Sequence, residues 1–331
     1  MRVAVIGAGA VGGLLAALLD RAGHEVSVTA RGEHLAAIRA DGIVLDGGYG
    51  SHVARVAAAE TLAETPELAV LATKAQDAEA ALGANARHLA GVPLLVVQNG
   101  LGGIRVAREV LPASPLLGGL ALFATSYLSP GRITVTAALP LVLGAAEGTS
   151  RAVLDDVAGT LRGALPIEVV DSLEGAQWTK LLVNHVNALP AITGLSVQQT
   201  VADPTLRRVL AASLRETARI ANRIGVRFTG LQGIPGWILP WLGRGPLWVA
   251  ARLPRLLARR MGDVPNPGST LQSLRRGQLT EIDFLNGAVV RVADEHRLSA
   301  PINAALVELV HEVERTGAFF TPVQVGARVP A

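Results

Sequence analysis

The chain has 331 residues, half of them hydrophobic and 17% charged, which is ample core-forming material and more length than one core usually takes, so two domains are expected. Its formal charge of +3 comes from thirty basic and twenty-seven acidic residues without a long basic run, which argues against nucleic acid as a partner. The absence of cysteine excludes disulfides, thiolate metal sites and cysteine nucleophiles, and the seven histidines show no metal-ligand spacing, so no metal is expected.

The first residues, MRVAVIGAGAVGG, lack the charged region, long apolar run and cleavage site of a secretory signal, so a cytoplasmic protein is expected. From there the text alternates short apolar β-type runs with helix-like segments: RVAVIG (2–7), EVSVTA (25–30), ELAVLAT (67–73) and VPLLVVQ (92–98). Continuous apolar strands separated by helices predict a parallel sheet covered on both faces. More β-rich text follows, with a turn at Pro130-Gly131, then a helical stretch from Arg151 and a short IEVV. Beyond that the patterns are long and helical. The expected architecture is α/β: an N-terminal Rossmann-type dinucleotide-binding domain over residues 1–170, followed by an all-helical domain over 171–331 for substrate and dimerisation.

GAGAVGG directly follows the first strand and opens a helix, matching GxGxxG through Gly7, Gly9 and Gly12. Glycines there permit a tight turn and close backbone approach, and the helix start offers unpaired N–H groups to a pyrophosphate. The second strand leads into Thr29-Ala30-Arg31-Gly32. A guanidinium stands where an NAD enzyme usually places a carboxylate, which favours NADP(H); a solvated arginine at a strand end is the plainer reading. Two further strand ends carry polar loops, Lys74-Ala75-Gln76-Asp77 and Asn99-Gly100-Leu101-Gly102. Ligands of open α/β sheets bind beyond the carboxyl ends of the strands, so Lys74 and Asn99 are expected to face the cofactor.

Of the thirty basic residues only Lys74 and Lys180 are lysine. A lysine can have its pKa moved and can give up a proton, whereas an arginine stays charged. Lys180 lies in QWTKLLVNHVNALPAITG (177–194), which reads as one apolar helix. At 100° per residue, Asn184 lies about 40° from Lys180 on one side and Asn187 about 20° on the other. These three make a narrow polar stripe, and Trp178, Leu182, Val186 and Leu189 form the packing face. Partial burial would lower the lysine pKa and fit it to protonate a developing alkoxide, while a snorkelling lysine is the structural alternative.

The segment GIPGWILPWLGRGPLWVAARLPRLLARRM (233–261) holds three of the four tryptophans, but proline and glycine interrupt it too often for a spanning helix. A lid over an apolar substrate or a homodimer interface suits it better than a membrane contact. In NPGSTLQSLRRGQLTEIDFLNGAVVRVADEH, helical spacing places Glu281 on one face with Leu285, Ala288 and Val292, and Ser269 would serve as an N-cap.

Together the ordered motifs GAGAVG, Arg31, TKAQD, QNGLG, WTKLLVN and TEIDFLNG resemble the ketopantoate reductase (2-dehydropantoate 2-reductase) family over nearly the whole chain. The resemblance implies NADPH held by Gly7, Ala8, Gly9, Ala10, Val11, Gly12, Arg31, Lys74 and Asn99, with a further contact near Ala124 or Thr125. It makes Lys180 the proton donor, puts Asn184 and Ser269 at substrate-contacting positions, and puts Glu281 at the cofactor and active-site cleft. Asn99 and Asn187 complete the expected substrate set. The implied activity is NADPH-dependent reduction of a small 2-oxo acid, ketopantoate first, in pantothenate biosynthesis. The alternatives are a more apolar 2-oxo substrate or an NADP(H)-binding sensor without turnover. Three departures fall on the substrate side. Ala188 stands where the family usually has its second asparagine, the S-S-M-x-Q-D run appears as Gly268-Ser269-Thr270-Leu271-Gln272-Ser273, and the tryptophan-rich segment is long.

Overall fold

The computed structural model describes residues 1–260 and 264–331, leaving Met261, the last residue of the tryptophan-rich segment, outside the described part. Contacts divide the chain into two units, Met1–Leu173 and Glu174–Ala331.

The first unit runs β1 (Arg2–Ile6), α1 (Ala10–Arg21), β2 (Glu25–Thr29), α2 (Gly32–Asp41), β3 (Ile43–Gly47), β4 (His52–Ala54), β5 (Ala57–Ala59), β6 (Leu68–Leu71), α3 (Ala78–Leu89), β7 (Leu94–Val96) and α4 (Gly103–Val110). It continues with β8 (Leu116–Ala121), β9 (Ala124–Ser129), β10 (Arg132–Ala137), β11 (Leu141–Ala145), α5 (Arg151–Arg162) and β12 (Ile167–Val169). An eight-stranded sheet has the order β12-β11-β8-β7-β6-β1-β2-β5. Its strands from β7 to β5 are parallel, so the loops after β1, β2, β6 and β7 leave from one edge. The strand period of two explains the two-sided burial. Val3 and Val5 enter one core with Leu14, Leu18 and Leu154, while Ala4 and Ile6 enter another with Leu82, Leu89 and Ala107.

A second sheet, β4-β3-β10-β9, was not anticipated from the pattern. Its strands are short and partly exposed; β10 alternates cleanly, β9 does not, and the parallel pairing of β10 with β3 carries no local signal. The β9–β10 hairpin turns at Pro130-Gly131, where Gly131 has φ +75°.

The second unit is helical: α6 (Leu173–Asn184, which opens on the last residue of the first unit), α7 (Ala188–Thr193), α8 (Val197–Ala202), α9 (Pro204–Arg223), α10 (Leu239–Arg244), α11 (Leu247–Ala250), α12 (Arg252–Arg260), α13 (Gly268–Arg275), α14 (Asn286–Glu295), α15 (Pro301–Thr316) and α16 (Pro322–Arg328). Its core gathers Leu182, Leu189, Leu210, Leu214, Leu306 and Val310, with α9 as the element most others pack against. In the tryptophan-rich segment Leu239, Leu242, Ala250 and Leu253 face that core, and Trp237, Trp241 and Trp248 are 74%, 57% and 59% exposed. Arg252 lies over the Trp248 ring, 4.7 Å from its centroid. Among the described residues no helix is long and apolar enough to cross a membrane.

Three helical expectations are corrected. Residues 177–194 are not one helix: α6 stops at Asn184, His185–Asn187 form a 3-10 turn, and α7 follows. Pro190 is the cause, since it has no N–H to give the Val186 carbonyl and its ring crowds that carbonyl. Glu281 does not share a helical face with Leu285, Ala288 and Val292 either. It precedes a 3-10 turn, Ile282–Phe284, and Leu285, at φ −102° and ψ −96°, breaks the path before α14. Ser269 is the second residue of α13 rather than its N-cap, a position taken by Pro267.

Candidate active site

Candidate site residues form one constellation in each unit. In the first, the glycine loop leaves β1 at the point where chain order reverses, with β2 on one side and β6 on the other. Gly7 has φ +92°, and a Cβ there would stand 2.7 to 3.0 Å from Thr73. A Cβ on Gly12 would stand 2.0 Å from the Gly7 carbonyl oxygen, so the helix can approach the loop only without it. Among the described residues nothing lies within 4 Å of the Gly9 Cβ position, leaving open space above the loop. Ala10, Val11 and Gly12 form the first turn of α1, whose start carries no side-chain cap among the described residues. Those N–H groups therefore face the opening. The loop is tied down from β2: the Gly7 N–H donates to Thr29 Oγ1 at 2.9 Å and the Ala8 N–H to the Thr29 carbonyl at 3.0 Å.

Arg31 is exposed at the start of α2, just beyond β2. Lys74 and Asn99 are half-buried in the loops after β6 and β7. Gln98 joins those loops, its Nε2 donating to the Thr73 carbonyl at 2.9 Å and to Thr73 Oγ1 at 3.2 Å. Its Oε1 is buried and lacks a hydrogen-bond partner among the described residues, which marks it as an acceptor awaiting a donor. Thr125 lies on β9 with its hydroxyl 3.5 Å from the Ala10 carbonyl, beside the same loop. The crowded glycines, the open space above Gly9 and the unpaired Gln98 oxygen fit an extended ligand with a pyrophosphate over the loop and an N–H near Gln98.

In the second unit α6 is pinned beside Lys180 by buried Trp178 and by Thr179, whose hydroxyl reaches the Thr229 carbonyl at 2.7 Å. Burial lowers the Lys180 pKa to about 8, and the nearby Glu281 carboxylate works against that shift. The fold thus brings together two residues a hundred positions apart. Asn184 keeps its place one turn after Lys180. The 3-10 turn brings Asn187 roughly in line with Asn184, where a continuous helix would leave it about 60° short. Asn187 also meets α13: a Cβ on Gly268 would lie 2.5 Å from Asn187 Oδ1. Gly268, at φ +71°, is therefore the space into which the Asn187 carboxamide fits, next to exposed Ser269.

Two polar networks hold this constellation, and neither was anticipated. Buried His185, just after Asn184, donates from Nδ1 to the Leu181 carbonyl at 2.8 Å and accepts from Thr217 Oγ1 at 2.7 Å. Burial lowers its pKa to about 4, so it stays neutral. Thr217 is linked onward to Asn303, which donates to Glu216 and accepts from Ser213 and Asn286 at 2.8 Å each. The second network brackets Glu281. The Thr280 N–H donates to Glu314 at 2.8 Å, and His311 bonds Glu314 at 2.6 Å and Asp283 at 3.0 Å. Burial opposes charge on His311, but the two carboxylates outweigh it and hold its pKa above the ordinary value. Apart from the local His185–Leu181 and His311–Glu314 pairs, these partners lie 17 to 90 residues apart, beyond any local sequence signal.

The chain matches the family described as Ketopantoate reductase PanE/ApbA over residues 3–148 and its C-terminal counterpart over 172–314. The 2-dehydropantoate 2-reductase of Halobacterium salinarum is 30% identical over 96% of this chain and 100% of its own length. That of Archaeoglobus fulgidus is 28% identical over 95% and 98%. Among solved structures, the PanE/ApbA family ketopantoate reductase from Ralstonia eutropha superposes with a TM-score of 0.81 at 29% identity, covering 95% of this chain and 99% of that one. D-mandelate dehydrogenase with NADH and anilino(oxo)acetate shares the fold, with a TM-score of 0.81 at 22% identity over 96% and 99%. The chain belongs to the ketopantoate reductase family and is a pyridine-nucleotide-dependent oxidoreductase.

Proposed function

We propose that this protein reduces a 2-oxo acid with NADPH, ketopantoate being the first candidate, and that Lys180 gives the proton. The observation that carries the reading is the half-buried Lys180, its pKa brought down to about 8, facing Glu281 and sharing a stripe with Asn184. An ammonium so tuned is a competent acid near neutral pH. Residues 1–170 form the NADP-binding domain and 171–331 the substrate domain, with a homodimer as the assembly.

A bound nicotinamide supplies the hydride that adds to C2 of the 2-oxo acid. Lys180 passes its proton to the oxygen at C2, yielding the 2-hydroxy acid, and regains a proton from solvent. Glu281 keeps the lysine charged until substrate arrives. Asn184, Asn187, Ser269 and Asn99 hold the carboxylate and hydroxyl groups. In the nucleotide cradle, the loop from Gly7 to Gly12 takes the pyrophosphate, Arg31 the 2′-phosphate, and Lys74 and Thr125 flank the cofactor. The relatives named 2-dehydropantoate 2-reductase support ketopantoate as substrate. The departures on the substrate side, Ala188, the run from Gly268 to Ser273 and the long tryptophan-rich segment, support a second reading, a different and more apolar 2-oxo acid.

The test is a panel of 2-oxo acids scored by oxidation of NADPH and of NADH. Strong preference for ketopantoate with NADPH is expected. Preference for a bulkier acid selects the second reading, preference for NADH removes the role of Arg31, and absence of turnover on every acid overturns the proposal.

A further inference from the structure

His34, on the first turn of α2, makes two hydrogen bonds that join three elements. Its Nε2 lies 2.6 Å from the Ala8 carbonyl of the glycine loop, and its Nδ1 lies 3.0 Å from the backbone nitrogen of Gly131 at the tip of the β9–β10 hairpin. Its ring stands edge-on to Tyr127 of the same hairpin, with centroids 4.9 Å apart. The residue is half-buried, three positions after Arg31.

The two partners fix the tautomer. A backbone N–H can only donate, so Nδ1 is the bare nitrogen; a carbonyl oxygen can only accept, so Nε2 carries the hydrogen. We infer that His34, as its neutral Nε2–H tautomer, is a positioning residue that sets the glycine loop for the dinucleotide. Gly7 and Ala8 are already held from the strand side through Thr29. His34 holds the opposite side: with the Ala8 carbonyl drawn toward α2, the peptide preceding Gly9 is fixed and the path into α1 is set. Arg31 is the N-cap residue of that same turn, so one helix start couples the loop over the pyrophosphate to the residue assigned to the 2′-phosphate. A leucine would fill the space but release the Ala8 carbonyl, whereas a glutamine can still donate to it from its amide.

This inference rests on the reading of the loop as a nucleotide cradle, and the experiment separates the two. NADPH is titrated into wild type, His34→Leu and His34→Gln, with turnover at saturating NADPH and melting of the cofactor-free protein measured alongside. Loss of one such hydrogen bond corresponds to roughly a three- to tenfold weaker Kd. The expected result is that shift for His34→Leu, with kcat within about twofold of wild type, and recovery of most of the affinity in His34→Gln. Equal affinity in all three proteins overturns the inference, as does equal loss in both variants, which would make His34 a space-filling residue. Should the leucine variant not fold, nitrogen-detected spectra of the wild-type imidazole decide: a bare Nδ1 and protonated Nε2 support the role, and the reverse tautomer overturns it. A wild type that binds neither NADPH nor NADH removes the cradle reading itself.

Discussion

The two constellations are built from different materials. In the first unit the cradle is mainly backbone: carbonyl and N–H groups at strand ends, with glycines where a Cβ would collide. In the second it is side chains, an ammonium, a carboxylate and carboxamides delivered by α6, a 3-10 turn, α13 and the stretch before α14. A backbone cradle needs a few adjacent residues with no side chain in the way, so its chemistry is written locally. A side-chain site needs distant segments in register, and its precision depends on what lies behind them. Here that support is the buried Asn303 network and the Glu314–His311–Asp283 bracket.

That contrast can be broken experimentally. The largest separation is expected from Lys180→Ala: kcat falls by about 10²–10⁴-fold while NADPH affinity stays near wild type, since a general acid contributes on that scale. Equal loss of turnover and NADPH binding would erase the distinction between the two sites. Asn303→Ala is expected to cost roughly 2–4 kcal/mol of stability in chemical denaturation, because it strips partners from Glu216, Ser213 and Asn286 in the interior. A stability change within about 0.5 kcal/mol would show that the network is incidental. Smaller again, Gly12→Ala forces a Cβ against the Gly7 carbonyl, at a cost of about 1–3 kcal/mol. It should appear as roughly ten- to hundredfold weaker NADPH binding in a direct titration, and unchanged affinity would mean that the loop tolerates a wider approach.

The same contrast explains what could be read in the sequence. Strand runs such as RVAVIG, the glycine spacing and the polar loops at Lys74 and Asn99 are local patterns, and the fold puts Gly7, Arg31, Lys74 and Asn99 at one edge of the sheet. The polar stripe was half legible. Lys180 and Asn184 share α6, but the wheel drawn through Asn187 ignored Pro190, whose missing N–H inserts a 3-10 turn. The apolar spacing after Glu281 mimics a helical face, but in the fold the backbone breaks at Leu285 and Glu281 nears Lys180 from outside α14. His34, His185 and His311 gave no signal, since each acquires its meaning from partners distant in the chain. The β9–β10 hairpin shows in the sequence as β-rich text around its turn, but its pairing with β3, and through it β4, joins segments about ninety residues apart and left no local mark.

The most direct test of Lys180 as the acid is the pH dependence of kcat/KM for the 2-oxo acid with NADPH saturating, in wild type and in Glu281→Gln. The acid must be protonated to act, so the rate falls as pH rises through the Lys180 pKa, with a limb expected near 8 in wild type. Glu281 raises that pKa, so its neutral replacement is expected to move the limb to lower pH. A limb at the same pH in both proteins, or none near that value in wild type, would contradict the assignment.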